Sequence, residues 1–385
     1  MRALSEQTQE KAIEQEIAEK DTVTDKNEAV QNQPPKKRGR AWWTLVFIAI
    51  AVVSIWAVVS QTKDFSFTEF MNFIGSANLG WLSSAIVSTI LFIVFEALSI
   101  LIICRSFGYK RSFGRGFVYS AADIYFSAIT PSATGGQPAS AFFMMKDDIP
   151  GTLVTMSLMV NLVMYTASTV VLGIIAILIN PPLLLNFGTL SKVIILIGYI
   201  VQIALLVVFI LLLTKKGMLH KLCRGALKLL AKLHLIRKLD KKLEALEKKM
   251  QEYSGYTHML KGKGKLLFVV LILNILQRMA QTGVTPLTYL ASGGEISEAF
   301  GLFLIQIYIM VGANCIPLPG AMGVTDYLML DGFEEMQVQN PAFLELLSRS
   351  LSFYMCVIIC GITILISYCA LFKSKKRRKK YDRDL

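Results

Sequence analysis

Six uninterrupted apolar runs, at roughly 41–60, 79–104, 151–179, 193–213, 266–291 and 342–372, each reach the length of about 20 residues that a helix needs to cross a bilayer core. A chain so built has one solvent open to it. Only 17% of its 385 residues are charged and its mean hydropathy is +0.53, whereas a water-soluble globule carries about 25% charged residues. The chain therefore reads as an all-α polytopic membrane protein. Trp42, Trp43, Trp81 and Tyr368 fall where interfacial anchors belong.

Two further apolar stretches, 116–145 and 299–330, are broken in the middle. The first carries Thr130-Pro131-Ser132-Ala133-Thr134-Gly135-Gly136-Gln137-Pro138, the second Pro317-Leu318-Pro319-Gly320-Ala321-Met322-Gly323. Each arm has about 13 to 18 residues, or roughly 20 to 27 Å of helix, short of the hydrocarbon thickness of about 30 Å. Each stretch is predicted to be a re-entrant hairpin. Proline removes a backbone donor and glycine bares the backbone, so such a bend survives at membrane depth only where protein or a wet cavity satisfies it.

The basic residues orient the chain. With the first tail inside, cytoplasmic segments hold 36 of the 40 Lys and Arg, and outer loops hold only Lys63 and Lys192. That ratio requires both broken stretches to return to the face they left. Both termini are then cytoplasmic. Each half reads helix, helix, hairpin, helix, and three crossings per half make the hairpins enter from opposite faces. This is an inverted repeat, an arrangement in which transporters place a substrate site at the midplane. The divisions are a polar, disordered tail at 1–40, a first repeat at 41–214, a basic amphipathic linker helix at 215–265, a second repeat at 266–372 and a polybasic tail at 373–385. No cleavable signal peptide is evident in the tail.

A charge at mid-bilayer costs about 2.5 to 3.5 kcal/mol on insertion scales, so the charges left inside apolar sequence are the candidate functional residues. They are Glu96, Asp123, Arg278, Asp326, Glu345 and Arg349. Glu345 and Arg349, at i,i+4 near the outer end of the last helix, read as a local pair or as snorkelling to the interface. Arg278, flanked by Gln277 and Gln281, suits a phosphate because its planar guanidinium keeps its charge when buried. The alternative is a structural pair with Glu96 or Asp123. Asn161, Tyr165 and Gln202 extend the polar lining, or serve as interhelical hydrogen bonds. At the bends, Gly135, Gly136, Gly320 and Gly323 admit close approach of backbone to a ligand. Thr134, Gln137 and Thr325 add side-chain donors, and the helix after each bend points its positive end inward. The alternative is a pair of kinks that permit tight packing. Glu96, Asp123 and Asp326 would serve a cationic headgroup or a coupled ion.

Six cysteines and three histidines show no metal-ligand spacing, so no metal, disulfide or other cofactor is expected. The segment 215–252 carries 12 Lys and Arg against four acids with leucines at helical spacing. It reads as a helix on an anionic leaflet, or as a solvated connector, and the basic run 373–380 as a second anchor. Nucleic acid is not an expected partner, and self-association is left open.

The two interrupted motifs, Thr130 to Ala139 followed by Ala141-Phe142-Phe143, and Pro317 to Asp326, resemble the transmembrane region of bacterial lysylphosphatidylglycerol synthases over roughly residues 41–372. Ala321 stands where that family usually has a second glycine, and Asp326 where it has glutamate. The resemblance implies a bacterial plasma-membrane protein that flips or binds an anionic or aminoacylated phospholipid such as lysylphosphatidylglycerol. It also implies two alternatives: a phosphatidylglycerol lysyltransferase drawing on lysyl-tRNA, or a scaffold for a separate lipid or glycan enzyme. With thirteen residues after the last apolar run and no soluble segment besides the basic linker, the chain is not expected to be catalytic alone.

Overall fold

The computed structural model describes residues 67–130, 133–232 and 239–381, all within one compact unit. The expected polar tail and the first expected span, 41–60, lie outside the described residues. The chain forms α1 Phe67–Gly75, α2 Leu79–Ser106, α3 Phe113–Ile129, α4 Gly136–Lys146, α5 Gly151–Ile179, α6 Pro181–Asn186 and α7 Thr189–Thr214. It continues as α8 Lys216–Lys232, α9 Leu239–Lys261, α10 Gly264–Ala291, α11 Ile296–Ala313, α12 Val324–Glu335, α13 Pro341–Arg349 and α14 Cys356–Tyr381. A π-helical turn, Ser350–Met355, joins α13 to α14. No strand occurs among the described residues.

Six described helices or helix pairs are long and apolar enough to cross a membrane: α2, α5, α7, α10, α11 and the run 341–370. Five of these coincide with the apolar runs of the sequence. The sixth, α11, was expected only as a hairpin arm; its 18 residues make about 27 Å of helix, which is nearly a full crossing.

Both broken stretches fold back on themselves. In the first, α4 returns along α3, so that residue 147 meets the start of the hairpin. Tyr119 donates to Asp147 Oδ2 at 2.5 Å, Arg111 donates from Nε and Nη2 to the Asp147 carbonyl, and Arg115 pairs with the Asp147 carboxylate at 3.4 Å. In the second, α12 returns along α11. The Met336 side chain lies over the Cα of Gly301, and Ile305 lies over Gly332. The 3-10 turn at the second elbow, Pro319–Ala321, packs against α3.

Among the described residues the core gathers in three larger clusters and a small fourth one of Leu330 and Ala342. One lies at the basic end, where Tyr119, Met144, Leu153 and Met156 are fully buried. One lies at the other end around Phe187, Tyr308, Phe333 and Leu344. A smaller one between them holds Phe92, Ile93, Ala280, Cys356 and Cys360. The close pair α2 and α10 runs through the centre, where Ser88 donates to the Ala280 carbonyl at 2.8 Å. On α7, Ile200, Ile203 and Val207 stay exposed, as suits a face turned to lipid.

The basic linker comprises two described helices, α8 and α9. The apolar side of α9 does not lie free: Tyr253 and Leu260 are buried in the basic-end core, and Met250 and Tyr256 pack on it. Glu252 accepts from Thr152 on α5 at 2.7 Å, Lys263 donates to the Ser106 carbonyl, and Phe107 meets Tyr256 edge to face.

Gly198 on α7 marks the tightest helix contact. A Cβ there would lie 2.4 Å from the Val311 carbonyl oxygen and 2.8 Å from the Gly312 Cα, both backbone atoms that cannot move aside. Gly198→Leu is expected to destabilise the protein by about 1 to 3 kcal/mol. Gly255→Ala, on an exposed stretch of α9 with open space at that Cβ, is expected to raise stability by about 0.5 to 1 kcal/mol. Denaturation in detergent micelles, compared with wild type, checks both signs.

Candidate functional site

Asn274, Gln277, Arg278 and Gln281 recur at i, i+3, i+4 and i+7, which places them on one face of α10. That face meets Phe92, Glu96 and Ser99 of α2, Asn161 and Tyr165 of α5, and, through Glu96, the hairpin arm α3. The Glu96 carboxylate accepts from Gln277 Nε2 at 3.1 Å and from Ser120 at 3.3 Å. Asp123 lies one helical turn beyond Ser120, on the same face of α3. Asp123 in turn accepts from Gln137 Nε2 of α4 at 2.8 Å and from Ser127 at 3.3 Å. Asn274 donates to Ser99 and Asn161, each at 3.3 Å.

Arg278 is 2% exposed. Its Nη1 donates to Gln281 Oε1 at 2.7 Å and to the Tyr165 hydroxyl at 3.1 Å. The guanidinium stacks between two rings, 4.1 Å from the centroid of Tyr165 and 5.1 Å from that of Phe92. No carboxylate lies within 4 Å of it among the described residues, so the paired alternative does not hold: Glu96 and Asp123 bind amides and hydroxyls instead. The Arg278 Nε, Gln277 Oε1 and Asn274 Oδ1 are all buried without a partner. A buried donor or acceptor left unmatched costs about 1 to 3 kcal/mol, more when charged. One helix face thus carries an unmatched donor, Arg278 Nε, beside two unmatched acceptors.

The elbows show what their glycines are for. A Cβ on Gly136 would lie 2.1 Å from Asp123 Oδ1 and from Ser127 Oγ, so only glycine admits the carboxylate at the start of α4. Gly320 has φ 59° and lies against the Phe353 ring, and Gly323 has φ 81°. Asp326 Oδ2 accepts from the Gly323 N–H at 2.8 Å, capping α12. Each helix that follows a bend thus begins on a carboxylate of its own hairpin. Gly135 N–H is bonded to Thr130 Oγ1 at 2.9 Å, and the Thr325 hydroxyl to the Ala321 carbonyl at 3.0 Å. Thr134 is exposed at the first elbow.

The expectation of a snorkelling Glu345–Arg349 pair is corrected by the structure. Glu345 is 1% and Arg349 8% exposed. Arg349 Nε lies 2.9 Å from Asp326 Oδ1, and its guanidinium lies 4.7 Å from the Phe353 centroid. The cause is α12: it brings Asp326 across from the hairpin, a long-range partner that i,i+4 spacing on α13 does not reveal.

A sequence model described as lysylphosphatidylglycerol synthase TM region matches residues 44–360. The chain belongs to that family. Among curated proteins none matches it. In this lysylphosphatidylglycerol synthase TM region the first hairpin, α2 and α10 bring together Glu96, Asp123, Gln137, Gln277, Arg278 and Gln281. Asp326 and Thr325 belong to a separate cluster at the second elbow. Gln202 is buried on α7, outside both networks. Sequence reasoning passed over Phe92, Ser120 and Asn274. Each lies three or four residues along its own helix from a buried charge, Phe92 before Glu96, Ser120 before Asp123 and Asn274 before Arg278. Helical spacing from those charges was the available signal.

Removing one partner of a buried ion pair leaves an uncompensated charge, at a cost of about 3 to 5 kcal/mol. Asp326→Leu and Arg349→Met are each expected to destabilise by that order, and the double substitution by clearly less than the sum. A double-mutant cycle on thermal unfolding in micelles checks the coupling.

Proposed function

We propose that this protein translocates, or binds for translocation, a phospholipid whose headgroup is anionic or aminoacylated, the headgroup resting in the chamber beside Arg278 while the acyl chains stay in lipid. The reading rests above all on one observation: a guanidinium 2% exposed, stacked between two rings, with no carboxylate within 4 Å among the described residues and an unmatched Nε. A phosphate supplies the missing acceptor, and the planar fork of arginine suits its oxygens. The phosphate contact falls to this side chain rather than to the elbow backbone, since Asp123 and Asp326 already sit at the starts of α4 and α12.

Glu96 of α2 and Asp123 of α3 face α10, and with Gln277 Oε1 and Asn274 Oδ1 on the same helix face as Arg278 they would serve as acceptors for a headgroup ammonium or hydroxyl. A site with both signs of partner holds a headgroup that carries a phosphate and donor groups together. In this reading the two hairpins belong to an inverted repeat entering a bacterial plasma membrane from opposite faces, with both termini cytoplasmic. The basic linker adds attraction to anionic lipid through the face of α8 and α9 that the bundle leaves uncovered. The family description also names a synthase, so lysyl transfer from lysyl-tRNA is the rival activity; the described residues place no acid/base pair on the basic linker that would serve it.

The test is leaflet exchange of fluorescent phosphatidylglycerol and lysylphosphatidylglycerol in proteoliposomes. Wild type is expected to exceed empty vesicles, Arg278→Ala to lose at least about 90% of the excess, the equivalent of about 1.4 kcal/mol, and Arg278→Lys to recover only part of it. Wild-type exchange no faster than empty vesicles sinks the proposal. Labelled lysine appearing in lipid with purified protein and lysyl-tRNA establishes the rival.

A further inference from the structure

The hydrogen bonds around Arg278 are unevenly placed, and the unevenness limits what the chamber can hold. Both bonds that the guanidinium makes leave from Nη1, to Gln281 Oε1 at 2.7 Å and to the Tyr165 hydroxyl at 3.1 Å. Nε is buried without a partner, and Nη2 makes no hydrogen bond among the described residues. Nε and Nη2 form one edge of the guanidinium, a parallel pair of donors that grips two oxygens of an oxyanion at once. The edge suited to bidentate binding is therefore the free one.

The same two bonds fix the chemistry of the neighbours. A guanidinium has only donors, so Gln281 must turn its oxygen to Nη1 and its amide nitrogen away. Tyr165 likewise spends its phenol oxygen as acceptor and keeps its proton to give. Neither side chain donates a hydrogen bond among the described residues. Accepting from a cation polarises both groups and makes them better donors. Arg278 is 2% exposed while Gln281 and Tyr165 are half-buried, so the donors they present border on accessible space. The two unmatched acceptors of this helix face are held to other partners by their own amide nitrogens, Gln277 to Glu96 and Asn274 to Asn161, and neither oxygen bonds the guanidinium.

Charge narrows the occupant further. Arg278 brings one positive charge, and the other buried cation among the described residues, Arg349, is paired with Asp326 at the second elbow. Glu96 accepts from Gln277, the residue next to Arg278. A second negative charge on the occupant would thus meet a carboxylate with no cation to offset it. A phosphodiester carries one negative charge, whereas a phosphomonoester carries about 1.5 to 2 near neutral pH.

We propose that Arg278, Gln281 and Tyr165 form a donor-only cup that selects a phosphodiester over a phosphomonoester, with Gln281 and Tyr165 as its specificity-determining residues. The cup rests on the headgroup reading above and narrows it. It takes the phosphate that joins a glycerolipid to a further headgroup, and it rejects the terminal phosphate of phosphatidic acid or of a prenyl phosphate.

The test uses the full chain in maltoside micelles at about pH 8, where the monoester is a dianion. Soluble dihexanoyl-phosphatidylglycerol, dihexanoyl-phosphatidic acid and inorganic phosphate are the probes, and ligand-induced thermal stabilisation is the readout. The diester is expected to bind at least about tenfold tighter than either of the others. Gln281→Glu gives Arg278 a counter-ion and withdraws two donors. Without ligand it is expected to melt no lower than wild type, and with the diester to bind at least about tenfold more weakly. Tyr165→Phe keeps the stacked ring, loses one donor and is expected to weaken diester binding severalfold, which decides the matter should Gln281→Glu fail to fold. Equal binding of the two lipids, no binding of the diester, or diester binding unchanged in the variants overturns the cup. Free phosphate bound as tightly as the diester assigns the site to the ion and overturns it as well. Leaflet exchange separates the two readings. Wild-type exchange that Gln281→Glu retains fails the cup alone, whereas diester binding with the expected losses but no exchange fails translocation alone.

Discussion

Taking a charge out of water is so costly that a folded chain keeps it only where something answers it, and the architecture of this bundle follows from how its buried charges are answered. Asp123 is met by Gln137 and Ser127, Asp326 by the Gly323 N–H and Arg349, Glu96 by Gln277 and Ser120. The Glu96 contacts, Asp123 with Gln137 and Asp326 with Arg349 cross between elements, while Ser127 and the Gly323 N–H are local partners. The polar groups thus fix which helices lie together, while the apolar side chains fill the space. Arg278 departs from this pattern. It sits in a mould of two aromatic rings and a glutamine with part of its hydrogen-bonding capacity unspent.

The hairpins show the same economy at their bends. A chain that turns at membrane depth must cover the N–H groups at the start of the next helix. Here Asp326 covers the Gly323 N–H at the start of α12, while at the first bend Thr130 takes the Gly135 N–H and Asp123 takes the Gln137 side chain. Gly136 lets Asp123 reach the start of α4, and Gly323, at φ 81°, turns its N–H toward Asp326. The acid that departs from the usual glutamate of the family is long enough for this cap, because it lies three residues past the capped N–H. Glu345 then stands beside it from α13.

How far the sequence alone reaches is set by the range of the interaction. The apolar runs, both elbows and the face of Arg278 are local patterns, and the helices appear within a few residues of where periodicity puts them. The linker was harder. Its leucines promised an amphipathic helix, and their spacing said nothing of whether lipid or protein would take the apolar side; part of α9 went to the bundle. Arg349 was misplaced for a related reason. An i,i+4 acid is visible in one dimension, but its competitor Asp326 is 23 positions away and arrives only through the fold. For Arg278, sequence left a structural pair and a ligand contact equally open; in the fold its described partners are Tyr165 and Gln281, with no carboxylate within 4 Å among the described residues.

At the basic end, Phe107, Tyr256 and Lys263 touch across some 150 residues: a ring from the first half, a ring from the linker and an amine from the threshold of the second. Such a joint binds the halves historically as well as physically. A change in the loop after α2 is felt by a helix that follows it by some 150 residues. Halves borrowed from different relatives would meet at mismatched surfaces here even if each folded faithfully.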